Sequence, residues 1–101
     1  MTTKITLTYA CPEDADAFEV GYAEQPALAA ALPGVQRIES AKVWPKEDGS
    51  TPPAYRTVEL YFADYQSAND ALATPQAGAL FGNVQAIASA GVTILFLDVE
   101  S

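Results

Sequence analysis

A small α+β domain of element order β-α-β-β-α-β, with a four-stranded antiparallel sheet and helices on one face, is the fold class this sequence predicts. Three observations predict it. Four short segments rich in β-branched and aromatic residues alternate with stretches of helical period. Proline and glycine punctuate the joints, at Pro12, Pro33-Gly34, the 45–53 segment, Thr74-Pro75 and Gly91. At 101 residues and 50% apolar composition, the chain has material for one core, so residues 1–101 are read as a single domain.

The elements follow in order. Lys4 to Ala10 alternates apolar and polar side chains, the mark of a half-buried first strand. Pro12-Glu13-Asp14 reads as a helix start, because proline fits the first turn and the acids Glu13, Asp14 and Asp16 complement the helix dipole. From Asp14 to Leu32, the residues Phe18, Tyr22, Gln25, Ala29 and Leu32 recur at helical spacing and mark the face turned to the core. Pro26 removes a backbone donor inside this run and predicts a kink or break near Gln25. Gln25 is the odd member of that face. Either its amide bonds backbone groups freed by Pro26, or it lines a pocket, since a buried amide requires partners.

Leu32-Pro33-Gly34 ends the helix, and a second strand is expected over Val35 to Trp44. The segment Pro45 to Pro53 is a loop by composition, with Trp44 at its base expected to pack over the core. Tyr55 to Phe62 is a central third strand, large on both faces: Arg56, Val58, Leu60 and Phe62 on one, Tyr55, Thr57, Glu59 and Tyr61 on the other. Asp64 caps a short helix ending near Ala73, and Thr74-Pro75 starts another that runs through Leu80, Val84 and Ile87 to Ser89. Gly91 stops it, and Val92 to Val99 forms the last strand. This order, with its second helix in two pieces, is the ferredoxin-like split βαβ arrangement.

Composition excludes several functions. A net charge of −8 opposes binding to nucleic acid and to anionic membranes. The chain has no His, so imidazole acid/base chemistry and His metal ligands are absent. With one cysteine, Cys11, it forms no internal disulfide and lacks the usual transition-metal ligands, so no metal is expected. Neither a cationic, apolar leader nor a run of about 20 apolar residues is visible, and the expected location is the cytoplasm.

Strands with large groups on both faces carry the assembly argument. Helices cover one side of the sheet, and the other is expected to hold several of Leu95, Leu97, Val99, Tyr61, Tyr55 and Ile38. An apolar surface of that kind needs a partner, and a twofold homodimer packing sheet on sheet closes it most simply.

The same residues carry a resemblance. Phe18-x3-Tyr22-x2-Gln25-x-Ala27-Leu28-Ala29-x2-Leu32-Pro33-Gly34, Val58-Glu59-Leu60-Tyr61-Phe62 with Asp64, Thr74-Pro75, and Gly91-Val92-Thr93 resemble the EthD family of dimeric α+β barrel proteins over nearly the whole chain. The resemblance implies a small, cofactor-free homodimer, related by fold to muconolactone isomerases and cofactor-independent monooxygenases. Where family sequences carry a His-x-Pro-Leu-Ala pattern, this chain has Gln25-Pro26-Ala27-Leu28-Ala29, and a family Asp aligns with Asn83. Two ionisable groups are thus amides, which bond but do not move protons near neutral pH. The expected function is a homodimeric small-molecule-binding or accessory protein of catabolic or secondary metabolism. Its pocket would be formed by Tyr9, Tyr22, Gln25, Tyr61 and Asn83 and hold a small apolar or aromatic metabolite. The alternative is a cofactor-free isomerase, cyclase or monooxygenase acting on a small aromatic or polyketide-like substrate, with Glu59 as base. Against that stands an ordinary ion pair between Glu59 and Arg37 or Arg56 across the sheet.

Overall fold

The alternation of apolar and polar residues in TKITLTY turns Thr3, Ile5, Leu7 and Tyr9 to one side of strand β1, Thr3–Tyr9, and all four are buried. The computed structural model describes residues 1–101. After β1 come α1 (Ala15–Tyr22), α2 (Gln25–Ala30), β2 (Arg37–Lys42), β3 (Arg56–Phe62), α3 (Tyr65–Leu72), α4 (Pro75–Ile87) and β4 (Val92–Asp98). The strands form one antiparallel sheet in the order β2-β3-β1-β4. This is the ferredoxin-like architecture, with β3 central as its two-faced sequence requires.

Register builds the core. Ile5 lies opposite Leu60 and Phe96, and Leu7 opposite Val58 and Ile94, so one face of the sheet presents an apolar layer to the helices. Ala68, Ala71 and Ala77, all buried, let α3 and α4 approach that layer closely, while Leu80, Val84 and Ile87 fill it from α4. Each leucine-sized side chain so buried contributes about 1.5–3 kcal/mol. Asp64 and Thr74 cap α3 and α4 by accepting from the Ser67 and Ala77 amides, as their positions predict. Gly91 takes φ +108° between α4 and β4, a conformation that side chains disfavour.

Several expectations need correction. Pro12 and Glu13 lie outside the first helix; extended Asp14 is the N-cap and accepts from Ala17 N–H at 3.1 Å, so helix geometry starts at Ala15. The break expected near Gln25 is present, at Ala23 and Glu24, and gives two helices. β2 is shorter than expected, and Trp44, beyond its end on the sheet's edge, is 87% exposed instead of packed over the core. α4 stops at Ile87, before Ser89. Ile38 and Tyr55 belong to the helix side: Ile38 pairs with buried Leu60, and the Tyr55 ring meets Phe18 edge-on at 5.1 Å. The outer face is therefore mixed, apolar at β4 with exposed Leu95 and Leu97, and ionic across β1, β3 and β2. No helix is long and apolar enough to cross a membrane.

Candidate functional site

Pro26 positions the site. By ending α1 early and restarting the helix as α2, it sets Gln25 at the first position of a new helix, with its side chain 1% exposed and directed at the sheet. There its amide nitrogen donates to the Tyr9 hydroxyl at 2.7 Å and to Asn83 Oδ1 at 3.1 Å. Asn83, on α4, donates in turn to the Gly21 carbonyl on α1 at 2.9 Å. One relay thus joins α1, α4, α2 and β1. The partners of Gln25 are side chains, so the expectation that it serves backbone freed by Pro26 does not hold. Its Oε1 is buried and has no hydrogen-bond partner.

Gln25 reaches a cavity of about 310 Å³ between the helices and the sheet, lined also by Tyr22, Pro26, Ala29, Ile38, Ser40 and Val58. The lining is mainly apolar. At its rim, the Tyr22 and Ser40 hydroxyls are bonded to each other, Arg56 donates to Ser40 Oγ at 2.9 Å, and the Arg56 guanidinium lies 4.2 Å from the Tyr22 ring centroid. Arg56 is neutralised by Glu19 at 3.0 Å, which also accepts from the Tyr55 hydroxyl at 2.6 Å and faces Lys42 at 3.5 Å. The Tyr55 hydrogen bond first, then Arg56 and Lys42, holds the Glu19 carboxyl below its ordinary 4.5. Burial pushes the Tyr9 hydroxyl above its ordinary 10.0, so it stays neutral. Around this cavity the chemistry available from side chains is hydrogen bonding and apolar contact.

Of the residues expected to form a pocket, Tyr9, Tyr22, Gln25 and Asn83 come together, with Tyr9 and Asn83 behind Gln25. Tyr61 does not join them. It stands on the outer face, its hydroxyl 2.6 Å from Glu39 Oε1 and 3.0 Å from Glu59 Oε2, and these contacts, with burial, raise its titration far above 10.0. Glu59 pairs with Lys4 at 3.1 Å, while Arg37 pairs with Glu39 and Arg56 with Glu19. The expected pairing of Glu59 with an arginine is thereby replaced, because Lys4 on the adjacent strand β1 is nearer. Ile38, Ser40, Val58 and Arg56 were not expected at the cavity. The signal for them was the in-phase position of Ile38 and Ser40 opposite Leu60 and Val58, hidden by the weak patterning of β2.

No protein-family model matches the chain. An uncharacterized 11.0 kDa protein of Rhodococcus erythropolis, encoded in the thcB-thcC intergenic region, is 34% identical over 99 residues, covering 97% of this chain and 95% of that protein. Among solved structures, an EthD family protein from Bacillus halodurans C-125 superposes with a TM-score of 0.90 at 23% identity, covering 99% of this chain and 100% of that one. SnoaB, a cofactor-independent oxygenase from Streptomyces nogalater, gives 0.67 at 17% identity, covering 99% and 93%. Several further structures with this fold are described as dimeric. The EthD resemblance read from the sequence agrees with these similarities in fold.

Proposed function

The chain belongs to the same family as the Rhodococcus erythropolis protein and carries the EthD fold, and from that premise we propose that it is a homodimeric small-molecule-binding or accessory protein of catabolic or secondary metabolism. Its ligand is a small apolar or aromatic metabolite held between α2 and the sheet. The observation that carries this reading is an apolar cavity of about 310 Å³ whose single deeply buried polar side chain is Gln25. The dimeric description of several structures of this fold, and exposed Leu95 and Leu97 on the outer face, support the homodimer. The enzymatic alternative is the weaker reading: Glu59 stands on the outer face, tied to Lys4 and Tyr61, and the cavity itself offers the Gln25 amide in place of a base.

Thermal unfolding against a panel of small aromatic compounds tests the proposal. A binder is expected to raise the melting temperature in a concentration-dependent way. The rise should vanish in Ala29→Phe, which fills the cavity. If no compound shifts the wild-type transition, or Ala29→Phe responds equally, the reading is wrong.

A further inference from the structure

Resting on the binding reading above, we infer that the cavity selects ligands carrying a hydrogen-bond donor, such as a phenolic or alcoholic hydroxyl, at the end lodged against Gln25. A side-chain amide can turn either its oxygen or its nitrogen toward a ligand, and here the choice is dictated from a distance. The Gly21 carbonyl only accepts, so the Asn83 atom 2.9 Å from it is the amide nitrogen. Asn83 therefore shows Gln25 an oxygen, which also only accepts, and Gln25 must answer with its nitrogen at 3.1 Å. The second N–H of that nitrogen is used by Tyr9 at 2.7 Å. Both donors of Gln25 are spent, and what remains is Oε1, buried and unpaired.

Neither Tyr9 nor Asn83 lines the cavity, whereas Gln25 does, which leaves Oε1 as the one atom of that amide without a partner to meet a ligand. The other side-chain polar groups of the lining lie at the rim: the Tyr22 and Ser40 hydroxyls bond each other, which uses one of their two O–H groups, and Ser40 also accepts from Arg56. At its Gln25 end the pocket is thus apolar with one fixed acceptor. A hydroxyl completes it. A ketone or ether brings a second acceptor against Oε1, a carboxylate adds charge to that clash, and a hydrocarbon leaves Oε1 unpaired.

The test compares p-cresol, p-xylene and 4-methylacetophenone by calorimetric titration of the full chain. In the wild type, p-cresol is expected to bind about tenfold more tightly than either of the others. Asn83→Ala removes the group that orients Gln25, so its amide is free to turn and the margin over 4-methylacetophenone should fall to about twofold or less. In Gln25→Leu the ranking should invert in favour of p-xylene. Equal wild-type affinities would overturn the inference and leave the binding reading intact. Failure of all three to bind would overturn the binding reading itself. A p-cresol preference undiminished in Asn83→Ala would show that the relay does not set the selectivity, whether or not Gln25→Leu folds.

Discussion

The side-chain amide of Asn83 on α4 donates to the carbonyl of Gly21 on α1 at 2.9 Å, across 62 positions of sequence. Close approach of the two helices makes this bond possible, and the missing side chain at position 21 makes the approach possible. A Cβ there would collide with Cγ2 of Ile87, a branched group fixed close to its own backbone.

Gly21→Ala is therefore expected to force α1 from α4, weaken the Asn83 bond and destabilise the fold by about 1–3 kcal/mol in chemical denaturation. Gly82→Ala, also helical but with open space around the added carbon, should instead stabilise by about 0.5–1 kcal/mol. Equal effects at the two positions would contradict this packing account.

Gln25→Leu deprives both Asn83 Oδ1 and the Tyr9 hydroxyl of their donor. The loss should be about 1–3 kcal/mol by urea unfolding, since these polar groups are left incompletely paired. An unchanged midpoint would mean that the relay contributes nothing to stability.

Acid sensitivity follows from Glu19. Its carboxyl is held below the ordinary 4.5, first by the Tyr55 hydroxyl and then by Arg56 and Lys42. A depressed folded value means that its stabilisation is fully present above about pH 4.5 and is lost as pH falls through the lower, folded value. Glu19→Gln should accordingly be less stable than the wild type near pH 7, with the gap closing toward pH 3 in paired denaturation curves. A gap that persists at low pH would assign the effect to something other than ionisation.

Leu95 and Leu97 remain 47% and 37% exposed on the sheet face that the helices leave uncovered. Sedimentation at micromolar concentration should report twice the chain mass, and Leu97→Lys should shift it toward one chain mass by placing a charge in the apolar half of the interface. A wild-type monomer would remove the homodimer.

Much of the fold was legible because local signals agreed with it. Period-two alternation in β1 and β3, the caps at Asp64 and Thr74, and the helical spacing of Phe18, Gln25 and Ala29 each act within a few residues, and tertiary packing reinforces them. The break before Gln25 was legible for the same reason, because Pro26 acts on its own backbone. What was not legible depends on partners distant in sequence. The face assignment of Ile38 and Tyr55 follows from register against β3 and from the aromatic cluster around Phe18, which no local pattern encodes. Trp44 looks like a core residue by type, yet it lies past the end of an edge strand where nothing packs on it. At the site, helical phase placed Gln25 beside Tyr22. Its bonds to Tyr9 and Asn83 required the assembled sheet, whereas the alternation along β3 already set Tyr61 on the face opposite Val58 and Leu60.

On the binding proposal, ligand occupies the cavity beside Gln25. The side-chain amide of Gln25 reports on it directly in a nitrogen–proton correlation spectrum recorded while p-cresol is titrated into the full chain. Binding should shift that amide pair together with the backbone signals of Ala29, Ile38 and Val58, while Thr57, Glu59 and Thr93 on the outer face stay in place. Shifts confined to the outer face, or a Gln25 amide that does not respond while p-cresol binds, would contradict the account.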